Sequence, residues 1–161
     1  MPAKKTPQSA DTAWLTPDEL QTWRALHGVI SGLPDALGAQ LRRKVNLSFL
    51  EYYVLACLSE QSDHRLRMSR LAMLATSELS RLSHLVGRLE KRGLVHREPD
   101  PVDRRFTLVV LTDAGQALVL IAAPLHVQHV RHLIFDVLGE KEQHALRAAL
   151  TKVLSKLITG L

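Results

Sequence analysis

A group of hydrogen-bond donors recurs at helical spacing between residues 78 and 92. Serine, arginine and histidine side chains share one face of this segment, and no carboxylate lies at the centre of that face. Such donors can bind the base edges exposed in a duplex groove, and arginine can bind guanine through two hydrogen bonds. The candidate set is Ser80, Arg81, Ser83, His84 and Arg88, with Ser77 at its start.

Two adjacent arginines, Arg104 and Arg105, stand in a turn directly after Asp103. A guanidinium gains energy from the negative potential of a narrow minor groove. Asp103 can hold such an arginine in place through a charge-assisted hydrogen bond. The competing interpretation is an ordinary polar surface turn.

Positive charge is concentrated in one part of the chain. The net charge is +5, and residues 65–105 contain ten Lys or Arg against five Asp or Glu, whereas the rest of the chain has eleven of each. A focused basic segment is typical of a surface that binds a polyanion, although it also fits a solvated face. Within this segment we expect phosphate contacts from Arg67, Ser69, Arg70 and Lys91.

The elements that position these side chains can be predicted from caps and periodicity. Thr16 and Pro17 begin a first helix, which Pro34 should kink or interrupt. Ser48 and Glu51 form a capping box for a second helix. A very short strand over 65–68 is possible. Ser69 and Ser77 are expected to cap the third and fourth helices, the latter spanning 78–92 and ending at Gly93.

A hairpin and two long helices complete the pattern. Two β-prone runs, "LVHRE" and "RFTLVVL", flank a loop rich in proline and aspartate. Thr112 should cap a helix running to about residue 138 and bent at Pro124, and a last helix should span 140–158. Leu79, Leu82, Leu85, Val86 and Leu89 form the apolar arc of the fourth helix.

The order helix, short helix, turn, helix, hairpin predicts a mainly α fold with a small β-hairpin wing. We therefore expect a flexible N-terminal arm over 1–15 and a winged helix-turn-helix DNA-binding domain over 48–112. Residues 16–47 and 113–161 should form a helical dimerisation region from both termini. Their apolar surface is too large for a lone small domain, so a homodimer is expected.

Residues 66–115 resemble the winged-helix domain of MarR-type bacterial transcription regulators. The family's wing pattern, D-x-R, an apolar strand and L-T-x-x-G, stands here as 103–105, 108–110 and 111–115. The resemblance implies that helix 78–92 enters a major groove and that wing 95–111 reaches the adjacent minor groove. It also implies that Arg105 is the working wing arginine and that a small phenolic or other lipophilic ligand, or an oxidant, releases the DNA. Among such ligands, a small lipophilic or aromatic-acid effector is expected.

These observations predict a ligand-responsive, dimeric DNA-binding regulator, most often a repressor in such a family, on a pseudo-palindromic operator. The alternative is a winged-helix module that binds proteins and has no DNA target, which should carry apolar or acidic residues on the same face. We find no nucleophile motif, phosphate-binding glycine loop or metal-ligand set. Neither enzymatic activity nor a cofactor is therefore expected.

Several further residues have two interpretations. Trp23, His27, Tyr52 and Tyr53 could line an effector pocket, or they could be helix packing. The histidines at 126, 129 and 132 suit a surface or dimer interface better than a metal site, so no metal is expected. Cys57 lies in an apolar neighbourhood, which favours an inert buried thiol over a redox sensor.

The compartment is predicted from three features of the sequence. No apolar run reaches the roughly 18 residues that a membrane span needs. The start of the chain has two lysines but no apolar core after them, so it is not expected to be a secretory signal. A single cysteine excludes an internal disulfide framework. We therefore expect a cytoplasmic protein without membrane partners.

Overall fold

The computed structural model describes residues 12–159, and the chain divides into two compact units, Met1–Pro34 and Asp35–Leu161. Most of the predicted N-terminal arm, residues 1–11, lies outside the described residues. Residues 12–16 have no regular secondary structure. The prediction of an arm therefore remains a prediction.

Helix α1 spans Pro17–Val45 and begins at the predicted cap. The Thr16 hydroxyl accepts a hydrogen bond from the Glu19 amide at 3.2 Å, and the Glu19 carboxylate accepts one from the Thr16 amide at 2.8 Å. This reciprocal pair satisfies amides that a helix start leaves open, and it lowers the pKa of Glu19. The helix is not interrupted at Pro34, although the boundary between the two units follows this residue.

Helix α2 spans Phe49–Ser59, and its capping box is confirmed. The Ser48 hydroxyl accepts from the Glu51 amide, while the Glu51 carboxylate accepts from the Ser48 amide. Because α2 is apolar on most sides, it lies at the centre of the second unit, and Val54, Leu55 and Leu58 have no exposed surface.

Strand β1 (Arg65–Arg67), helix α3 (Met68–Leu74) and helix α4 (Leu79–Lys91) follow. The predicted caps Ser69 and Ser77 were wrong. The N-cap residues are Arg67 and Glu78, and neither makes a side-chain cap bond. Strand β1 runs directly into α3, which places Ser69 inside the first helical turn. The starts of both helices therefore depend on packing rather than on a serine hydroxyl.

Strands β2 (Val95–Pro99) and β3 (Thr107–Leu111) form the predicted hairpin. Strand β1 pairs with the other side of β3, so the sheet has three antiparallel strands in the order β1-β3-β2. Between α4 and β2, Gly93 adopts a φ of 71°, which permits the Leu94 amide to bond the Leu89 carbonyl at 3.0 Å. This left-handed residue ends α4 as predicted.

Thr112 joins the sheet to helix α5, Asp113–Val130. Its hydroxyl accepts from the Gly115 amide at 3.1 Å and donates to the Gly93 carbonyl at 2.7 Å. A π-helical turn, Arg131–Phe135, continues α5 to a point three residues before the predicted end. Helix α6, Glu140–Thr159, is close to its predicted bounds.

The sequence analysis expected no apolar segment long enough to span a membrane, and the α5 segment contradicts this expectation. By length and composition alone, Asp113–Phe135 could cross a membrane. Only 11% of its most apolar 18-residue stretch is buried in the structure. One such helix is weak evidence for a membrane span, because an apolar helix that packs against another protein has the same length and composition. The N-terminal part of α5 packs on the core through Val119 and Ala122.

Helices α2 to α5 and the sheet enclose one hydrophobic core in the second unit. Its members are aliphatic with few exceptions, as the low aromatic content of the chain requires. The fold class is therefore as expected: mainly helical, with a small sheet that ends in a wing. Fully buried side chains include Leu41, Leu47, Leu71, Leu82, Leu89, Val86, Val95 and Val109.

Candidate nucleic-acid interface

Helix α4 has one buried face and one exposed polar face. Leu82, Leu85, Val86 and Leu89 are buried, as the wheel predicts. Leu79, the first residue of α4, belongs to the same arc of the helix but is 53% exposed. The polar residues Ser80, Arg81, His84, Arg88 and Lys91 are all exposed, and Ser83 is half-buried.

The side chains on this polar face differ in how firmly they are held. Arg81, His84 and Lys91 have no side-chain hydrogen bond or ion pair within residues 12–159, which leaves their donors available. Arg88 lies 3.7 Å from the Glu51 carboxylate, although it remains well exposed. Because Glu51 is itself buried in the α2 capping box, it limits the directions that Arg88 can take.

An open cleft of about 360 Å³ lies between α4 and strand β2. Three basic side chains converge on it, which makes it electropositive. Two of them, Arg88 and Lys91, were predicted from the sequence as groove or phosphate contacts. The third, Arg97, was not predicted and comes from the strand. The lining consists of Ser83, His84, Gly87, Arg88, Lys91 and Arg97.

At the wing tip, Asp103 holds Arg105 as the sequence suggested. Arg105 Nη2 donates to Asp103 Oδ2 at 2.7 Å, and its Nε donates to Oδ1 at 3.0 Å. These bonds lower the pKa of Asp103 and raise that of Arg105. Arg105 nonetheless keeps 86% of its side chain exposed. Arg104 is exposed and makes no side-chain hydrogen bond or ion pair with any described residue.

The base of the wing is fixed by Asp100, which is only 4% exposed. Its carboxylate accepts from the Val102 amide at 2.8 Å and from Arg67 Nε at 2.6 Å. These contacts, first the Val102 amide, lower the pKa of Asp100 below its usual value. The Arg67 guanidinium also lies 4.5 Å above the Phe106 ring. Arg67 therefore shapes the wing, and a phosphate contact would have to use its remaining donors.

The other predicted phosphate contacts lie on α3 and before α4. Ser69 and Arg70 are exposed in the first turn of α3, where the one side-chain hydrogen bond of Arg70 to a described residue is to the Met73 sulfur at 3.8 Å. Ser77 is half-buried, and its hydroxyl donates weakly to the Glu78 carbonyl at 3.4 Å. The side chains of Ser69 and Arg70 are thus accessible to a binding partner, whereas the Ser77 hydroxyl already makes a hydrogen bond within the chain.

The residues predicted to line an effector pocket belong to different units. Trp23 and His27 lie on α1 in the first unit, both exposed, with ring centroids 5.8 Å apart. In the second unit Tyr52 is buried and Tyr53 is partly exposed. Tyr52 packs against His126 of α5 at 4.6 Å between ring centroids, so helix packing is its main observed role.

His126 is the titratable member of this aromatic group. The centroid of its ring also lies 5.9 Å from that of Phe49, and its buried Nδ1 has no hydrogen-bond partner in the described part of the chain. Burial, with a smaller effect from His129, lowers its pKa below the usual 6.5. Folding therefore favours the neutral ring. As the pH falls below 6.5, the unfolded chain binds a proton that the folded chain resists, and stability is lost.

Replacing His126 with phenylalanine should reduce this pH dependence. The substitution keeps the aromatic packing and removes the titrating, unpartnered nitrogen. We expect the melting temperature of the wild type to fall more between about pH 7.5 and pH 5.5 than that of His126→Phe. Thermal melts at both pH values provide the measurement. Equal shifts in the two proteins would show that other groups carry the acid sensitivity.

Cys57, His129 and His132 were the other candidates for a sensing or metal-binding role. Cys57 is buried, and burial raises the pKa of its thiol, which disfavours the reactive thiolate. His129 stacks on His132 at 6.4 Å, and its Nε2 lies 3.3 Å from the Ala36 carbonyl. Within the described residues, no three His, Cys, Asp or Glu side chains converge as metal ligands.

Comparison with known proteins places this architecture in a family. The model of the MarR family matches residues 47–107, from two residues before α2 to the first residue of β3. The HTH-type transcriptional regulator PecS of Dickeya dadantii is 31% identical over 118 residues, which are 73% of this chain and 70% of PecS. The chain belongs to the MarR family.

Solved structures of MarR family regulators from Streptomyces coelicolor match almost the whole chain. Sco3205, solved in complex with DNA, superposes with a TM-score of 0.84 and 37% identity over 92% of each chain. AbsC gives a TM-score of 0.86 and 36% identity over 92% of this chain and 99% of AbsC. The winged-helix transcription regulator expected from the sequence is therefore confirmed at the level of family and fold.

Three contacts around the candidate interface were not predicted from the sequence: Asp100 with Arg67, Glu51 with Arg88, and Arg97 with α4. Only the first had a local signal, because an aspartate before Pro101 favours a side-chain-capped turn. The other two join residues that are distant in sequence, and nothing in the local pattern of either partner identifies the other.

Proposed function

We propose that this chain is a homodimeric DNA-binding regulator that represses transcription from a pseudo-palindromic operator. One observation carries the proposal. In a MarR family chain, α4 exposes Arg81, His84 and Lys91 without side-chain partners among the described residues, and the wing exposes Arg105, which Asp103 holds. Sco3205, the relative solved with DNA, supports duplex DNA as the partner. The major groove admits a helix such as α4, and the wing can reach the adjacent minor groove.

The proposed contacts divide by chemistry. Ser80, Arg81, Ser83, His84 and Arg88 would face base edges, because α4 presents them together. Arg70, Ser69, Lys91 and the free donors of Arg67 would bind phosphates, and Ser77 would contribute near the start of α4. At the wing, Arg105 would enter the minor groove with Asp103 as its support, and Arg104 would assist.

The proposed dimer uses apolar surface from the terminal helices. In α6, Leu146, Leu150, Val153 and Leu157 recur at intervals of four, three and four residues and are 41–60% exposed. Such spacing forms one continuous stripe along a helix. A second copy of the chain would cover this stripe together with the exposed Leu120, Ile121 and Val127 of α5. The same contact would account for the membrane-like composition of α5 in a cytoplasmic protein.

A small lipophilic or aromatic-acid effector completes the proposal. The aromatic group of Tyr52, Phe49 and His126 brings three rings together, and the His126 Nδ1 has no hydrogen-bond partner among the described residues. Tyr53 of the second unit, and Trp23 and His27 of the first unit, each stay a separate candidate for effector contact. A melting-temperature screen with a panel of aromatic acids tests this part separately from DNA binding, because a bound effector raises the melting temperature.

Selection of DNA by the purified protein tests the function directly. The wild-type protein is incubated with a library of randomised duplexes, and the bound duplexes are enriched and sequenced. We expect an inverted repeat with half-sites about one helical turn, roughly 34 Å, apart, bound by two chains. Recovery of no common sequence, or of a motif without two-fold symmetry, would contradict the proposal.

The wing arginines should differ in their contribution. Arg105→Ala is expected to weaken binding to the selected duplex about tenfold, because a pre-oriented guanidinium leaves the minor groove. Arg104→Ala should cost less, since nothing in the wing holds its side chain. Fluorescence anisotropy on both variants measures the difference. A larger loss from Arg104→Ala would reverse the assignment.

A further inference from the structure

Arg97, on strand β2, contacts the recognition helix α4 at two points. Its Nη2 donates to the Ser83 carbonyl at 2.7 Å, and its backbone amide donates to the Glu90 carboxylate at 2.9 Å. Its Nε lies 3.6 Å from the same carboxylate. Ser83 and Glu90 are about two helical turns apart. One residue of the sheet therefore holds much of the length of α4.

Two features show that this contact is built into the fold. Strand β2 is at the edge of the sheet, and Glu90 binds an amide that would otherwise face solvent. Gly87 leaves room for the guanidinium, because a Cβ at this position would lie 3.3 Å from Arg97 Nη2. The side chain of Arg97 is only 31% exposed, although it carries a charge.

We infer that Arg97 is a positioning residue that fixes the rotation of α4 relative to the wing. The inference rests on the proposed function, in which α4 and the wing enter adjacent grooves of one duplex. Strand β2 continues directly into the wing loop, so its attachment to α4 holds both reading elements as one rigid body. Precise placement of α4 affects base contacts far more than it affects the general attraction to phosphates.

The alternative is that Arg97 itself binds a phosphate, because it lines the cleft with Arg88 and Lys91. The two roles predict different results. A phosphate ligand contributes equally to selected and random duplexes, whereas a positioning residue contributes to the selected duplex alone. Glu90 separates them further. Removing an acid beside a phosphate site should strengthen binding to all DNA, while removing an anchor of α4 should weaken selected binding.

The experiment measures the affinity ratio between the duplex enriched by the wild type and a random duplex of equal length. Arg97→Met and Glu90→Ala are compared with Arg43→Met, which removes one exposed charge from α1. We expect both test variants to lower the ratio about tenfold. Random-duplex affinity should fall no further in Arg97→Met than in the control, and it should not fall in Glu90→Ala. Arg97→Lys keeps the charge but not both contacts, so its ratio should be intermediate.

Two results would overturn the inference: equal losses on both duplexes in Arg97→Met, or an unchanged or raised ratio in Glu90→Ala. If Arg97→Met does not fold, Glu90→Ala and Arg97→Lys still decide, because each keeps part of the contact. A wild-type protein that enriches no duplex would contradict the proposed function itself. If the wild type prefers the selected duplex and the variants have the same affinity ratio, only the role of Arg97 would be overturned.

Discussion

Arg81→Ala is expected to weaken binding to the selected duplex about 100-fold, because each chain of the proposed dimer loses a base-edge or phosphate contact of about 1–3 kcal/mol. Arg81 lies in the exposed face of α4 and makes no side-chain hydrogen bond or ion pair within residues 12–159. Its replacement should therefore leave the fold unchanged, with a change in unfolding free energy within about 0.5 kcal/mol.

Fluorescence anisotropy with the selected duplex measures this loss, and a thermal melt verifies the fold. Arg43→Ala is the matched control for lost charge. Arg88→Ala should also weaken binding by orders of magnitude, but it is a less clean test. It removes the cation beside the buried Glu51 carboxylate and so affects stability too. Unchanged affinity in Arg81→Ala would exclude its face of α4 from the DNA contact.

Gly115→Ala is expected to destabilise the protein by about 3 kcal/mol or more, because a Cβ at Gly115 would overlap the Leu94 carbonyl oxygen. It would also lie 2.6 Å from Leu111 Cδ1. The Leu94 carbonyl cannot retreat freely, since it accepts a hydrogen bond from the Thr112 amide. The chain passes so close at this point that only glycine fits in the first turn of α5.

Urea unfolding monitored by circular dichroism gives the free energy for this variant. Gly139→Ala is the control, because a Cβ there meets only the Glu142 side chain at an ordinary 3.5 Å. It should change stability much less than Gly115→Ala. An equal change in unfolding free energy in the two variants would mean that the backbone at the junction of α5 with the sheet can shift to accept a side chain without loss of stability.

Thr112 and Gly115 also show what the sequence could and could not predict. The L-T-x-x-G motif suggested a helix cap at Thr112, and the structure confirms it. The motif does not explain why a glycine stands at position 115. The explanation is the close approach of the Leu94 backbone, which lies between α4 and β2. A local pattern identifies the turn and its cap, but it does not identify the distant backbone that excludes a side chain.

The α4 face was predicted from helical periodicity, which fixes directions within one element. Exposure of Arg81 and burial of Leu82 followed from that alone. The bonds of Arg97 and Arg67 did not follow, because their partners depend on how β1 and β2 pair with β3. Ser69 and Ser77 failed as caps for the same reason: the strand and turn before each helix determined its start. The sequence therefore predicted which surface carries donors, while the structure shows what holds those donors in place.

The most direct test of the account is a salt titration of wild-type binding to the selected duplex and to a random duplex. We expect affinity for both to fall linearly in a logarithmic plot against salt, because Lys and Arg side chains displace counterions from the phosphates. The selected duplex should remain more tightly bound by about 1000-fold or more throughout. Binding that is independent of salt, or equal for both duplexes, would contradict a sequence-specific DNA-binding surface. It would instead favour a winged-helix module that binds other proteins.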